Sequence, residues 1–395
     1  MKKIIKEIRR VPFAAGGWES YAIQSDGSLL GWGGGKSYRL LGENYGGIGD
    51  GTDEDRLSPV KIMDDVAACS AGGPAAAIKT NGSLWTWGKN RGGQIGDGTV
   101  TKLDDQWRVI ENNNRLSPVK VMDDMVSVST GGSFAMAVKA DGSLWTWGNN
   151  CFGQLGKGRI SPLKPPLEMI DMSNSLPVKV MDDAVYISAG GGHAAAIKTD
   201  GSLWTWGSNS YGEIGDGTVS LFAHLDPEYH KKNEHSSPAK IMDNVAMVSA
   251  SPSAHTAVIK TDGSLWTWGH NYRGQLGDGT TKDKHSPVKV IDSDVRYVSA
   301  GNDHTMVIKT DSSLWGWGYN KYGQLGNGRT AKMVRPIKIM DDVVYVSAGA
   351  GHTMAVKTDG SLWVWGWNEY GQLGNGTTKG CRSPMKLMDD VLLPY

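Results

Sequence analysis

Short apolar runs recur along this chain, and each is closed within a few residues by Gly, Asp, Asn or Pro. No stretch holds apolar positions at helical spacing, so the pattern predicts strands from end to end. The C-terminal part shows the unit most plainly. Four strands are predicted there, at Val343–Ala348, Thr353–Lys357, Leu362–Trp365 and Met385–Met388. The Asp359-Gly360 pair between the second and third marks a type I′ hairpin. Trp363 and Trp365 are two residues apart, so they project from one face of their strand.

The unit repeats. A segment close to Asp-Gly-Ser-Leu-Trp-x-Trp-Gly occurs seven times, at Gly27, Gly82, Gly142, Gly201, Gly263, Ser312 and Gly360. The copies are 48 to 62 residues apart, the length of one four-stranded unit. Sheets stacked face to face around an axis need flat, bulky filler, and a Trp pair on each supplies it. The Ser-Ala-Gly that ends the first strand suits a crowded centre. The fold expected is therefore all-β, a seven-bladed β-propeller with four antiparallel strands per blade, in one domain over 1–395. The blades fall at about 11–60, 61–119, 120–178, 179–239, 240–288, 289–337 and 338–391, with 1–10 as a basic tail or strand. Val11–Ala14 is expected as the first strand of copy one, and the ring closes without a covalent link. Ile4–Ile8 is the alternative, as an extra outer strand against Met385–Met388; either way the two ends are adjacent.

Composition narrows the function. Forty-one basic residues balance forty-one acidic ones, which argues against a surface built for nucleic acid. No apolar run is long enough to span a bilayer, and dense turns with buried Trp exclude a transmembrane barrel. Thirteen of the sixteen tryptophans lie in the seven copies, so their excess belongs to the repeat. Cys69, Cys151 and Cys381 are too few and scattered for a disulfide framework or a zinc site. The opening Met-Lys-Lys leads into no apolar signal region, and a cytoplasmic monomer is expected.

The runs Val-Ser-Ala-Gly-x-x-His-Thr, Lys-Thr-Asp-Gly-Ser-Leu-Trp-Thr-Trp-Gly and Asn-x-x-Gly-Gln-Leu-Gly-Asp-Gly-Thr resemble the regulator of chromosome condensation (RCC1-type) repeat. The resemblance covers roughly 11–391, and the uniformity of the copies looks like the bacterial branch. It implies a seven-bladed propeller and much less about activity. Members of that family include a guanine-nucleotide exchange factor for a small GTPase, a plant UV-B photoreceptor and a bacterial β-lactamase inhibitor. In the inhibitor, aromatics at the heads of the second strands touch the partner. Trp18 and Phe134 are the residues here that match.

Candidate chemistry lies in the alignments and in their breaks. His193, His255, His304 and His352 share one position, where copies one to three carry Glu19, Pro74 and Phe134. A metal ring needs ligands converging on one ion, so packing with a backbone hydrogen bond is the expectation. Aligned lysines such as Lys79 and Lys357, and Asp pairs such as Asp64-Asp65, read as turn caps and solvated rims. A pair repeated in every copy is not the single special place that catalysis needs. No nucleophile, phosphate loop or asymmetric acid–base pair stands outside the repeats, so no enzyme and no cofactor or metal is expected.

The breaks are more informative. From the Gly-Asp-Gly turn to the next Pro, copies one, five, six and seven span 9 residues, whereas copies two, three and four span 21, 20 and 22. Insertions at one connection of three neighbouring blades emerge side by side on one face. They carry Leu103, Trp107 and Arg108, then Met169, then Phe222, Tyr229 and His230, the residue types of protein-interface hot spots. The strand-head face around Trp18 is a second candidate, shallow and weakly decorated apart from Asn302 and Asp303. The reading is a non-catalytic, protein-binding or inhibitor-like propeller that uses the long loops of blades two to four. A small-GTPase exchange regulator and a glycan-binding or cell-surface module are the alternatives.

Overall fold

The computed structural model describes residues 10–35, 47–104, 108–158, 174–220 and 235–394. Seven antiparallel four-stranded sheets follow one another along the chain. Blade seven is typical: Val343–Ala348, His352–Lys357, Leu362–Gly366 and Cys381–Met388, in that order across the sheet. Each blade packs on the next, and blade seven packs on blade one, so the sheets form a ring. The second Trp of each third strand, Trp32 to Trp365, is fully buried between blades.

The tryptophan before it lies near the rim. Its exposed side is covered by the aligned lysine, whose ammonium sits 4.6 Å (Lys309 over Trp315) to 5.8 Å (Lys79 over Trp85) from the ring centre. The lysine ladder is thus a cation–π cover and not a solvated rim. The second Asp of each pair is a turn residue, with φ of 63° at Asp65 and 65° at Asp342. The first Asp pairs with the lysine three residues before it, as Lys338 does with Asp341 at 2.8 Å.

Three staples join the blades. A serine near the end of one first strand accepts the backbone N–H of the next blade at 2.9 Å, as Ser299 does from Ala348 and Ser347 from Ala15. Blade one has Ala14 in the serine's place. There the backbone substitutes, Cys69 N–H donating to the Val11 carbonyl at 3.2 Å. The second staple is the buried Trp, whose indole N–H donates to a Gln or Glu carbonyl of the preceding blade, as Trp365 does to Gln324 at 2.9 Å. Trp87 is the exception: Gly47 stands where the other copies have Gln or Glu, and Tyr21 Oη accepts instead at 3.1 Å.

The third staple is the histidine. Nε2 of His193, His255, His304 and His352 lies 3.1, 3.0, 3.0 and 2.9 Å from the hydroxyl of Thr256, Thr305, Thr353 and Ser20 on the next blade. Each hydroxyl gives its proton to a backbone carbonyl, as Thr353 does to Gln324. It therefore accepts from the histidine, which is neutral with its proton on Nε2. The expected backbone partner is replaced by a hydroxyl for this reason. Burial lowers the four pKa values to about 4, 3, 3 and 4.

The N-terminus supplies the first strand of blade one and the two ends are adjacent, as expected, but that strand is shorter and shifted. The first strand of blade one is Phe13–Ala15, three residues where blades two to seven have six. The C-terminal segment supplies the missing start: Val391 bridges Gln24, and Leu392 N–H donates to the Ile23 carbonyl at 2.8 Å. Pro12 has no N–H to offer there, but its carbonyl accepts from Ile23 N–H at 2.8 Å. The innermost strand of blade one is thus assembled from both ends of the chain. Val11, displaced from that sheet, forms a parallel bridge with Ala68 of blade two. Ile4–Ile8 lies outside the described residues.

Candidate interaction face

Antiparallel order puts the first-to-second and third-to-fourth connections of every blade at the same end. The strand heads around Trp18 and the long connections of blades two to four therefore share one face. They are not rival surfaces.

The long connections are described only in part. In blade two, Lys102–Leu103 and Val109–Glu111 form a small two-stranded hairpin, with Lys102 and Glu111 paired at 2.7 Å. Arg108 is exposed and pairs with Asp104 at 2.6 Å inside that hairpin. Trp107, Met169, Phe222, Tyr229 and His230 lie outside the described residues. Trp18 is half-exposed at the head of blade one, and Phe134 is fully buried.

The face is better decorated than the sequence reading held. Its aromatic residues come from the short connection after the third strand, Gly-x-Asn-x-x-Gly-Gln-Leu. The buried Asn clamps this turn: Asn368 Oδ1 accepts Leu373 N–H at 2.8 Å and its amide donates to the Lys379 carbonyl at 3.0 Å. The Gln side chain then holds the fourth position of the turn, Gln372 Oε1 accepting Tyr370 N–H at 3.0 Å. With its backbone fixed and its core role absent, the Tyr370 side chain projects over the face.

Neighbouring turns join into a row. Trp18 meets Tyr370 edge-on at 6.4 Å, and Tyr370 meets Trp367 edge-on at 5.3 Å. Trp367 stacks on Tyr322 at 5.4 Å and 26°, and Tyr322 meets Tyr319 at 6.1 Å. The Arg273 guanidinium lies 4.6 Å from Tyr319 and 5.0 Å from Tyr272. The row runs from blade one through blades seven and six to blade five. Tyr272 is 63% exposed, far more than packing requires. Further round, Tyr211 packs on His270 at 4.3 Å, and Phe152 is exposed on blade three. The fourth-position aromatic was visible in the sequence as a recurrence at Phe152, Tyr211, Tyr322 and Tyr370. A glycine-flanked turn keeps it out of the blade cores, so it packs on its neighbours at the face.

A cavity of about 490 Å³ lies inside the row, bordered by Trp18, Gly73, Pro74, Gly132, Pro252 and Asn302. Burial raises the pKa of Glu19, Glu213 and Asp303 at this end of the ring, with His270 and Arg273 partly opposing it at Asp303. Each sits apart on its own blade. Among the described residues, no three His, Cys, Asp or Glu side chains converge to hold a metal ion.

The turns also differ in charge. In copies one, two, four and five the Asp of the Gly-Asp-Gly turn is paired with a basic residue starting the fourth strand. These pairs are Asp50–Arg56 at 2.6 Å, Asp97–Arg115, Asp216–His235 at 2.9 Å and Asp278–Lys284 at 3.5 Å. Copy three reverses the pair, Lys157 donating to Asn174 at 2.7 Å. Copies six and seven drop it: Asn327 and Asn375 replace the acid, and Met333 and Cys381 the base.

Fold and face together define a repeat-built β-propeller that presents an aromatic row on one side of a stapled ring. The chain belongs to the RCC1-like domain family, which matches residues 167–392, with regulator of chromosome condensation (RCC1) repeats matching 81–138 and 125–154. Human E3 ubiquitin-protein ligase HERC2 is 27% identical over 279 residues, 69% of this chain but 5% of that protein. The ultraviolet-B receptor UVR8 of Arabidopsis thaliana is 29% identical over 295 residues, 72% of this chain and 58% of the receptor. These relatives are eukaryotic and do not show the bacterial affinity expected from the copies. The solved structure of yeast RCC1 (Prp20) bound to Kap60 superposes with a TM-score of 0.72 at 18% identity, covering 98% of this chain and 86% of that one. Human WBSCR16 gives 0.69 at 21% identity, covering 84% of each. Both show the fold.

Proposed function

We propose that this protein is a non-catalytic, protein-binding propeller whose interface is the face carrying the aromatic row. The observation that supports this is the continuity of Trp18, Tyr370, Trp367, Tyr322, Tyr319, Arg273 and Tyr272 across four blades. Exposed Trp, Tyr and Arg held rigidly are the residues that dominate protein interfaces, because they desolvate much area with little rotamer entropy to lose. The third-to-fourth connections of blades two to four leave and rejoin their sheets at this same face. A row across four blades is a broad patch and not the small concave pocket that a sugar occupies, so it favours a protein over a glycan.

The printed activities of relatives are not carried over. HERC2 is matched over 5% of its length, so ubiquitin ligation is not assigned to this chain. Yeast Prp20 is described with Kap60, and with Gsp1p and histones, at 18% and 20% identity, where only the fold is shared.

The test compares three forms of the whole chain as bait, with captured proteins quantified by mass spectrometry. They are the intact protein, a Tyr322→Ala/Trp367→Ala variant, and a variant with the three long connections cut to the 9-residue spacing of the other copies. A protein captured by the intact form and lost from the aromatic variant supports the reading. Capture that survives in the aromatic variant but not in the trimmed one moves the interface to the long connections. Equal capture by all three sinks it.

A further inference from the structure

Blades six and seven carry an unbalanced charge at the aromatic end of the ring. Their third-to-fourth connections and strand starts hold Lys321, Arg329, Lys332, Arg335, Lys379 and Arg382 against one acid, Glu369. All six cations are exposed, and none forms an ion pair with a described residue. Elsewhere in the ring the equivalent turns carry their own Asp, and Arg56, Arg115 and Lys284 are spent on it. The loss of both members of that pair in copies six and seven removes the local anion and leaves the remaining cations free. Arg335 and Arg382 replace residues that are Ser in several other copies, such as Ser58 and Ser117 for Arg335, and Ser175 and Ser236 for Arg382. Arg335 lies over the Gly279 turn of blade five and Arg382 over the Gly323 turn of blade six. Both turns lie in the third-to-fourth connections that also carry Arg273 and Tyr322.

We infer that the partner docks an acidic segment bearing apolar or aromatic side chains on blades six and seven, the carboxylates meeting these cations and the rings meeting Tyr322, Trp367 and Tyr370. The inference rests on the protein-binding reading above and names the partner's chemistry. Exposed cations beside a rigid aromatic row attract an anionic chain over a Debye length of ~10 Å and hold it by ring contact once it arrives. A peptide segment fits better than a nucleic acid. The unbalanced charge is concentrated on two blades, whereas Arg56, Arg115 and Lys284 at the same end of other blades are already paired with their own acids, so a short anionic segment matches its extent better than a long polyanion.

The repeat itself supplies the substitutions for the test. Lys321→Ser, Arg335→Ser and Arg382→Ser each install a residue found at that place in another copy, as at Ser210, Ser58 and Ser236, so the ring is retained. A random 12-residue peptide library on phage is selected against the intact protein. Recovered peptides are then measured by fluorescence polarisation against the intact form, the triple serine variant and Tyr322→Ala/Trp367→Ala. Recovered peptides with net negative charge, bound about tenfold or more weakly by the triple variant and weakened by raising salt, establish the inference. Peptides lost only from the aromatic variant overturn the acidic partner and leave the protein-binding reading standing. No peptides, or peptides bound equally by all forms, overturn both. A single-stranded oligonucleotide bound more tightly than any peptide, with the same dependence on the cations, overturns the choice of protein.

Discussion

His352 Nε2 and Ser20 Oγ lie 2.9 Å apart across the junction where the two ends of the chain meet. The Ser20 proton goes to the Gln372 carbonyl at 2.8 Å, so one hydroxyl ties a side chain and a main chain of blade seven to blade one. Ser20→Ala leaves the His352 N–H buried and unpaired, while Gln372 keeps the Trp32 indole. We expect a loss of about 1–3 kcal/mol in urea unfolding. Adding His352→Phe copies the apolar junction formed by Phe134 and Ala194 and should recover much of the loss. If the double variant is no more stable than Ser20→Ala, the junction depends on shape and not on the pairing of polar groups.

Acid should loosen the ring before carboxylates matter. The four buried histidines are neutral in the fold, with pKa values of about 3 to 4 against an ordinary 6.5. The unfolded chain therefore binds more protons, and the stability they contribute is full above pH 6.5 and falls as pH drops toward 4. Glu19, Glu213 and Asp303, raised by burial, act in the opposite direction. The four histidines share one large downward shift, so their contribution to the unfolding free energy should fall steadily from pH 7 to pH 5. The slope should shrink in His255→Phe/Thr305→Ala. A flat profile over that range would mean that the histidines protonate in the folded ring.

Among the described residues, Tyr21 has a task no other tyrosine shares. It is the acceptor for Trp87 Nε1, where every other inner tryptophan uses a backbone carbonyl. Tyr21→Phe removes that acceptor and should cost ~1–2 kcal/mol, with a shift in tryptophan emission. Tyr319→Phe, a change at a half-buried tyrosine of the aromatic row, serves as the comparison and should cost less.

The C-terminal segment is a clasp. Val391 is buried, and Leu392 gives the N–H that Pro12 lacks. Ending the chain at Asp389 should lower stability by about 2–4 kcal/mol through lost burial and two or more backbone bonds. Calorimetry would register this as a lower melting temperature. An unchanged melting temperature would show that Phe13–Ala15 suffices to close the ring.

Much of this architecture is legible in the sequence. The Trp-x-Trp and Asp-Gly recurrences fixed blade number, strand number and hairpin position, because periodic alternation and turn chemistry act locally. The closing strand was not legible. Its deciding facts are that Pro12 lacks a donor and that Leu392 has one to spare, and these residues are nearly four hundred positions apart. The lysine ladder misled because a charged residue after an apolar run usually means solvent, whereas here the next strand brings a Trp face under it. The aromatic row is hidden by its own regularity: Tyr322 and Tyr370 read as repeat wording, whereas the clamped turn sets them against Trp367 on the face and not in a blade core. The long connections drew attention through length, and Trp107, Met169, Phe222, Tyr229 and His230 still stand as expectations.

The histidine staple carries a grammar. Copies five, six and seven have both parts, a hydroxyl for the blade before and a histidine for the blade after. Copy four has only the histidine, beside Ala194, and copy one only the hydroxyl, beside Glu19. Copies two and three have neither, with Ala75 and Ala135 at the hydroxyl place. The blades therefore have a head and a tail, and their order cannot be shuffled freely. Any number of blades of the copy-six kind can follow one another, while copies four and one begin and end the polar arc. A ring cast from seven identical copies of blade six would have no such terminators and would close on seven equal joints, whereas transposing blades three and six would strand histidines and hydroxyls at every seam it touched.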